Sequence, residues 1–252
     1  MREIYFLSDF GLADPYAAVV KAVMRQTTPG VMIHDLAHNL PPGDLYRASY
    51  ILYESVPYLP KQSVVLAVVD PGVGSSRRAV LVVGQRLCYV APDNGLLTLA
   101  YLQDPPQKVY LLENPTYHLP RKSATFHGRD VFGPVAAHLA SGVEPSRFGS
   151  ELPLSELVRL PIYLNFSNQG EILTFDRFGN AITTLLATPA QIRGKTVRIR
   201  YHRIPVASHY AEVPVGAALA YVGSAGLLEI AVHLGNAQEQ LGLQQGDRVE
   251  LS

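Results

Sequence analysis

The 252-residue chain is short of several things, and each shortage excludes a class of function. It has one cysteine, Cys88, set in an apolar run. Neither a disulfide framework nor a cysteine-rich zinc site can be built within it, which suits a reducing cytoplasm. It has no net charge, since Lys and Arg together number 21 and so do Asp and Glu. That balance argues against nucleic acid or an anionic membrane as the main partner. No apolar run reaches membrane-spanning length. The opening "MREIYFLSDF" reads as a short strand with an acidic end, not as a signal peptide. Neither an internal repeat nor a low-complexity stretch is visible.

What the chain does have is enough apolar sequence, 48% of its residues, for one large core or two smaller ones. Its first part alternates strand-like and helix-like segments. "IYFL" at 4–7, "VMIHDL" at 31–36, "VVLAVV" at 64–69 and "KVYLL" at 108–112 read as strands, and "AVLVVG" and "LCYVA" bracket a short turn at Gln85-Arg86. The wholly apolar 64–69 run is the kind covered on both faces of a parallel sheet. Asp14-Pro15 reads as an N-cap with Pro at the first helical position, Asp44 as the cap of a second helix, and Asp130 as the start of a third that Gly142 ends. After about residue 143 the pattern changes to a Pro- and Ser-rich stretch and then to short strands with turn signals. The expected architecture is an α/β N-terminal domain with a mostly parallel central sheet over 1–145, a linker over 146–162, and a smaller all-β, barrel-like C-terminal domain over 163–252.

In open α/β sheets, ligands bind beyond the carboxyl ends of the strands. Asp9, Asp35 and Asp70 fall there, where a carboxylate could hold a vicinal diol or simply make an Asx turn. "DPGVGSSRR" tempts a phosphate-loop reading, but the spacing is wrong and no Lys follows. A loop whose backbone approaches a ligand, or a plain tight turn, fits better. Either Arg77 or Arg78 could turn inward, and the spacing from Asp70 favours Arg77. "TFHGRDVF" places His127 before a helix start, where it could act as a base or orient a nucleophile. His34 and His38, beside Asp35, match no strong metal-ligand spacing, and hydrogen-bonded pairing is the expectation for them. "FDRFGNAITT" reads as a strand broken at Gly179-Asn180 by a bulge or turn that presents a polar side chain outward. The Asn180 amide has the donor-plus-acceptor pattern a purine edge requires. "GSAGLLEIAVHLGNA" is of the same kind, and hairpin turns explain both.

Taken together, "SDFG", "VVDPGVGSSRR", "APDNGLLT", "TFHGRDVF", "FDRFGN" and "GSAGLLEIAV" occur in the order of one family. The chain resembles, over nearly its whole length, the S-adenosyl-L-methionine hydroxide adenosyltransferases, relatives of fluorinating and chlorinating enzymes that use the same substrate. The resemblance implies hydrolysis of S-adenosylmethionine to adenosine and L-methionine without a cofactor or metal, with a catalytic trio at Asp70, Arg77 and His127. It implies Asp9 at the ribose hydroxyls, and Asp14 near the methionine amino group. Asp176 and Asn180 would face the methionine ammonium and the adenine edge, Ser224 the methionine carboxylate, and Leu234 the adenine through its backbone. Glu229, in the motif with Ser224, is expected to join the substrate-binding set. The chain departs from the halogenating branch at Ala225, where that branch has arginine, and carries His233 where hydroxide-type members commonly have asparagine. The family further implies a homotrimer, with each site formed between neighbouring subunits. The competing readings are a halogenase and a non-catalytic binder of S-adenosylmethionine or adenosine.

Overall fold

Every residue of Val64–Val68 is buried, as expected of a strand covered on both faces. Its side chains divide by parity: Val64, Leu66 and Val68 join one apolar cluster with Ile4 and Phe6, and Val65 and Ala67 join another with Leu7 and Tyr89. Two cores on the two faces of one sheet follow from the two-residue repeat of an extended chain. The structure, a computed structural model, describes residues 1–120 and 123–252 and divides into two units, Met1–Leu160 and Pro161–Ser252.

The first unit contains β1 (Ile4–Ser8), β2 (Ile33–Ala37), β3 (Val64–Val68), β4 (Ala79–Gly84), β5 (Cys88–Pro92), β6 (Pro106–Leu111) and β7 (Glu151–Leu152), in the order β2-β1-β3-β5-β4-β6-β7. One face is covered by α1 (Tyr16–Thr27) and α4 (Gly133–Ala140), the other by α2 (Leu45–Ser55) and the short α3 (Ala100–Gln103). Strands β2, β1, β3 and β5 pair in parallel, and β4, β6 and β7 continue antiparallel from β5. The sheet is therefore mixed, the expected parallel strands being extended by an antiparallel edge. The cause is the turn at Gln85-Arg86. Asp104, wholly buried, accepts hydrogen bonds from the Arg86 and Leu87 amides at 2.8 and 3.0 Å and from the Tyr89 hydroxyl at 2.9 Å. A Cβ on Gly84 would lie 2.2 Å from the same carboxylate. So tight a turn makes a hairpin, and a hairpin pairs antiparallel.

Residues 146–160 of the expected linker pack with this unit. Strand β7 pairs with β6, and Glu156 accepts from Arg78 at 3.0 Å. The Asp44 side chain caps α2 through the Arg47 amide at 2.8 Å, and Gly142, with φ +106°, follows the end of α4. Two other caps differ from expectation. Asp14 is exposed and makes no cap, the residue before α1 being Pro15. Asp130 lies inside a turn of π-helix, Gly128–Phe132, that leads into α4. No helix among the described residues is long and apolar enough to cross a membrane.

The second unit is all-β apart from the short helices α5 (Pro189–Ile192) and α6 (Ala237–Gln240) and brief 3-10 turns. Its strands are β8 (Gln169–Phe175), β9 (Ala181–Leu186), β10 (Thr196–Ile199), β11 (His202–Pro205), β12 (Ala218–Val222), β13 (Leu227–Val232) and β14 (Arg248–Leu251). They form one sheet in the order β11-β10-β14-β8-β9-β13-β12 with antiparallel neighbours. A bridge between Val206 and Ala220 brings its two edges together, so the sheet nearly closes around Ile172, Leu185, Val197 and Ile230. The barrel-like expectation holds, and near-closure leaves little unpaired edge.

Candidate active site

Strands β1 and β3 are neighbours, yet the chain leaves β1 toward β2 on one side and leaves β3 toward β4 on the other. Such a divergence opens a crevice at the carboxyl ends of the strands. A pocket of about 310 Å³ lies there, lined by Asp9 and Phe10 after β1, Asp70, Pro71 and Val73 after β3, and Phe126, His127 and Gly128 before α4. Pro42 and Gly43 complete its wall. Phe10 and Phe126 meet edge to face with ring centres 5.7 Å apart.

Asp70 and Arg77 are joined side-on. The Arg77 Nε donates to both carboxylate oxygens, at 2.8 and 3.0 Å, and its Nη2 donates to Oδ2. The two side chains are only 7% and 10% exposed, a burial that a lone charge would not tolerate. Arg77 Nη2 also lies 2.9 Å from His127 Nδ1. A guanidinium only donates, so Nδ1 is the acceptor in that bond and the proton of the neutral ring sits on Nε2. The Phe132 ring lies 5.1 Å from the guanidinium carbon, a cation–π contact on the apolar side. Arg78 turns elsewhere: it donates from Nε to Asp93 at 2.9 Å and pairs with Glu156, tying the 153–160 segment to the sheet. The choice between the two arginines falls on Arg77.

The loop that carries Arg77 braces itself. The Ser75 hydroxyl donates to the Gly72 carbonyl at 2.7 Å and accepts from the Arg77 amide at 3.2 Å, so the serines shape the turn rather than cradle a phosphate. Gly74 has φ +82°, and a Cβ there would stand 2.6 Å from the Ala124 carbonyl. The absent side chain lets this loop lie against the segment that delivers His127. That segment is anchored by Asp130. Its carboxylate accepts from the Ser123 amide at 2.6 Å and from Arg129 Nε at 2.5 Å. Burial raises the carboxyl pKa, but the bonds from Arg129 and Ser123 outweigh it and hold Asp130 below the usual carboxylate range.

Of the remaining expected residues, Asp9 faces the pocket and accepts from the Gly43 amide at 2.8 Å. Asp14 is exposed beyond it. Asp35 is not at the pocket: it lies within β2, paired with Lys21 at 2.7 Å and His38 at 3.0 Å. His34 stacks on Tyr5 and meets Glu3 at 3.2 Å. No group of three or more potential metal ligands comes together among the described residues.

Asp176, Asn180, Ser224, Glu229 and Leu234 belong to the second unit. Asp176 closes the β8–β9 turn by accepting from the Phe178 and Asn180 amides at 2.8 Å each and from Asn180 Nδ2 at 2.8 Å. Asn180 is buried, not turned outward as expected, because its amide group is drawn in by Asp176 and by the Tyr210 hydroxyl at 3.2 Å. From Tyr210 the bonding continues to the Tyr221 hydroxyl at 2.7 Å and on to Glu229 at 2.6 Å. Burial, then the bond to Glu229, push the Tyr221 hydroxyl far above its ordinary pKa. Ser224 is exposed in the β12–β13 turn, and Leu234 is 82% exposed with φ +54°. The tyrosines escaped notice in the sequence because nothing in their local pattern marks them as polar links.

An α/β unit that sets a carboxylate, a guanidinium and an imidazole in one hydrogen-bonded line beside a small pocket has the make-up of an enzyme's active site. Comparisons with known proteins narrow the class. Residues 4–149 match the SAM hydroxide adenosyltransferase N-terminal domain and 170–250 its C-terminal domain, so the chain belongs to the SAM hydroxide adenosyltransferase family. A Thermus thermophilus protein named (R)-S-adenosyl-L-methionine hydrolase is 57% identical to it over 100% of both chains. The crystal structure of a conserved hypothetical protein, also from Thermus thermophilus, superposes with a TM-score of 0.89 at 56% identity, covering 100% of both chains. A Nocardia brasiliensis fluorinase is more remote, 25% identical over 98% of this chain and 96% of its own.

The nitrogen-15 NMR spectrum of the His127 ring checks the protonation pattern. It should report an unprotonated Nδ1 and a protonated Nε2 at neutral pH, and an Nδ1–H would contradict the Arg77 bond.

Proposed function

We propose that this chain hydrolyses S-adenosyl-L-methionine, water attacking ribose C5′ to give adenosine and L-methionine. The observation that carries the reading is the single line of hydrogen bonds from Asp70 through Arg77 to His127 at the pocket wall. The reaction makes a C5′–O bond and breaks the C5′–S bond. Sulfur keeps the bonding pair and leaves as a neutral thioether, so no group has to protonate it. Water loses one proton, and the chemical demand is therefore an oriented water and an acceptor for that proton.

Each member of the trio meets part of that demand. Arg77 remains protonated, so it is no base; its charge steadies the forming hydroxide. The Nδ1 of His127 accepts from Arg77, which makes Nε2–H the ring's donor, able to hold the water oxygen and aim a lone pair at C5′. The remaining acceptor is the Asp70 carboxylate, and it takes the proton in this reading. Attack of an incipient hydroxide on a sulfonium cation neutralises charge, so the apolar wall of Phe10, Val73 and Phe126 strengthens the attraction. Asp9, also at the pocket, offers carboxylate oxygens to the two ribose hydroxyls in this reading, one of them already accepting from the Gly43 amide. No cofactor or metal enters this balance.

A halogenase would need small hydroxyl donors around a halide, and Val73 and Gly128 stand at the pocket instead. A mere binder would have no use for a buried ion pair aimed at a histidine. The family resemblance further supports a homotrimer in which Asp14 and the second unit's Asp176, Asn180, Ser224, Glu229 and Leu234 serve the methionine and adenine ends of the substrate, the second unit completing a neighbour's pocket. The single cysteine supports a cytoplasmic setting.

Three measurements check this reading. Offered the two sulfonium epimers in turn, the protein should release adenosine from at least one of them. Asp70→Ala should lower kcat by about a hundredfold or more with a small change in KM, while Asp9→Ala should mainly raise KM. No adenosine from folded protein, or full turnover by Asp70→Ala, would overturn it. Light scattering at micromolar concentration should give three times the 27.5 kDa chain mass, and a single-chain mass would remove the trimer.

A further inference from the structure

Beneath the pocket, a second line of hydrogen bonds runs from the surface to the residue before Asp9. Lys21 on α1 donates to Asp35 Oδ2 at 2.7 Å, Asp35 Oδ1 lies 3.0 Å from His38 Nε2, and His38 Nδ1 lies 2.7 Å from the Ser8 hydroxyl. Ser8 is wholly buried and the His38 side chain 2% exposed, whereas the Asp35 side chain is 45% exposed. The order Ser-His-Asp resembles a hydrolytic triad, but a hydroxyl with no exposed surface cannot attack an external substrate.

The direction of each bond is set by chemistry. An ionised carboxylate only accepts, so His38 Nε2 carries the ring proton. With that as the ring's single proton, Nδ1 accepts from the Ser8 hydroxyl, and the Ser8 oxygen is left to accept from the Phe10 amide, 3.4 Å away. The Phe10 amide is the link just past Asp9. The His38 carbonyl also accepts from the Gly11 amide at 2.8 Å, and the Gly43 amide, beyond His38, holds Asp9 itself. The loops after β1 and β2 are thus fastened together on both sides of Asp9, with His38 as the shared post. The Phe6 ring, edge-on to His38 at 4.7 Å, keeps the imidazole from turning. Pairing of Asp35 with Lys21 and His38 holds its carboxyl below the usual range despite partial burial, so it stays a charged acceptor at neutral pH.

We infer that His38 is a positioning residue: through Ser8 it fixes the backbone that aims Asp9 into the pocket, and it thereby sets affinity for the ribose end of the substrate without taking part in the chemical step. This inference rests on the proposed reading of Asp9 as the ribose-holding carboxylate.

A pair of near-isosteric variants separates positioning from mere filling of space. In His38→Asn the amide oxygen takes the place of Nδ1 and keeps the acceptor for Ser8; in His38→Gln the amide reaches toward Asp35 and leaves Ser8 without one. Loss of a buried hydrogen-bond partner should raise KM for S-adenosylmethionine and the adenosine Kd of His38→Gln about tenfold, with kcat within about threefold of the unaltered protein. Ser8→Ala should behave alike, and His38→Asn should stay within about threefold on every parameter. Asp35→Ala, altered at the exposed end and free of core disruption, should raise KM by about threefold, which keeps the test open if a buried variant does not fold. Equal behaviour of His38→Asn and His38→Gln, or a kcat that falls while KM holds, would overturn the positioning role. If Asp9→Ala weakens adenosine binding and folded His38→Gln and Ser8→Ala do not, only this inference fails. If Asp9→Ala leaves adenosine affinity unchanged, the ribose reading fails and takes this one with it.

Discussion

The bidentate pairing of Arg77 with Asp70 is the interaction on which the candidate site depends. Two charges this deeply buried are stable only together, and removing one partner of such a pair costs about 3–5 kcal/mol. The pair therefore dictates the path of the chain between them. Gly74, with φ +82°, lets the backbone double back, and Ser75 braces the return. What the pair leaves over is as useful as what it consumes. One guanidinium edge grips Asp70, while Nη2 reaches on to His127 and dictates which imidazole nitrogen holds the proton. The charge pattern that the proposed chemistry uses is thus produced by an interaction that also stabilises the fold.

The platform beneath it is rigid for a separate reason. Strand β3 is buried on both faces, so its register against β1 is set by two cores at once, and a slip of one residue would place each side chain in the wrong layer. Asp9 and Asp70 follow these neighbouring strands and inherit their spacing. The third element, the segment with His127, comes from elsewhere in the chain. It is drawn in by the charge of Asp130 and by the absence of a side chain at Gly74. In the second unit the same economy appears in polar form, where Asp176, Asn180, Tyr210, Tyr221 and Glu229 satisfy one another along a continuous set of bonds.

Much of this was legible in the sequence because it depends on local chemistry. The apolar run at 64–69, the Asp44 cap and the short strands of the second half all act through near neighbours, and the structure has them where the pattern put them. What was not legible depends on partners that the local pattern does not mark. The antiparallel half of the sheet follows from Asp104, some twenty residues from the turn it organises. Asn180 looked outward until Tyr210 was seen to draw it in. Asp130 had the pattern of a cap, yet its partners are Arg129 and Ser123, and it sits within the helical turn rather than before it. Asp35 had the strand-end position of a ligand carboxylate and proved to be committed to Lys21 and His38. The spacing of Asp70 and Arg77 was the exception: a long-range geometry compressed into seven residues and therefore readable.

The central claim is that this site delivers a water oxygen to ribose C5′. Turnover of S-adenosylmethionine in water enriched in oxygen-18, followed by mass spectrometry of the nucleoside, tests it most directly. The account predicts one heavy oxygen per adenosine, located at the 5′-hydroxyl. Unlabelled adenosine, or label at any other position, would contradict it.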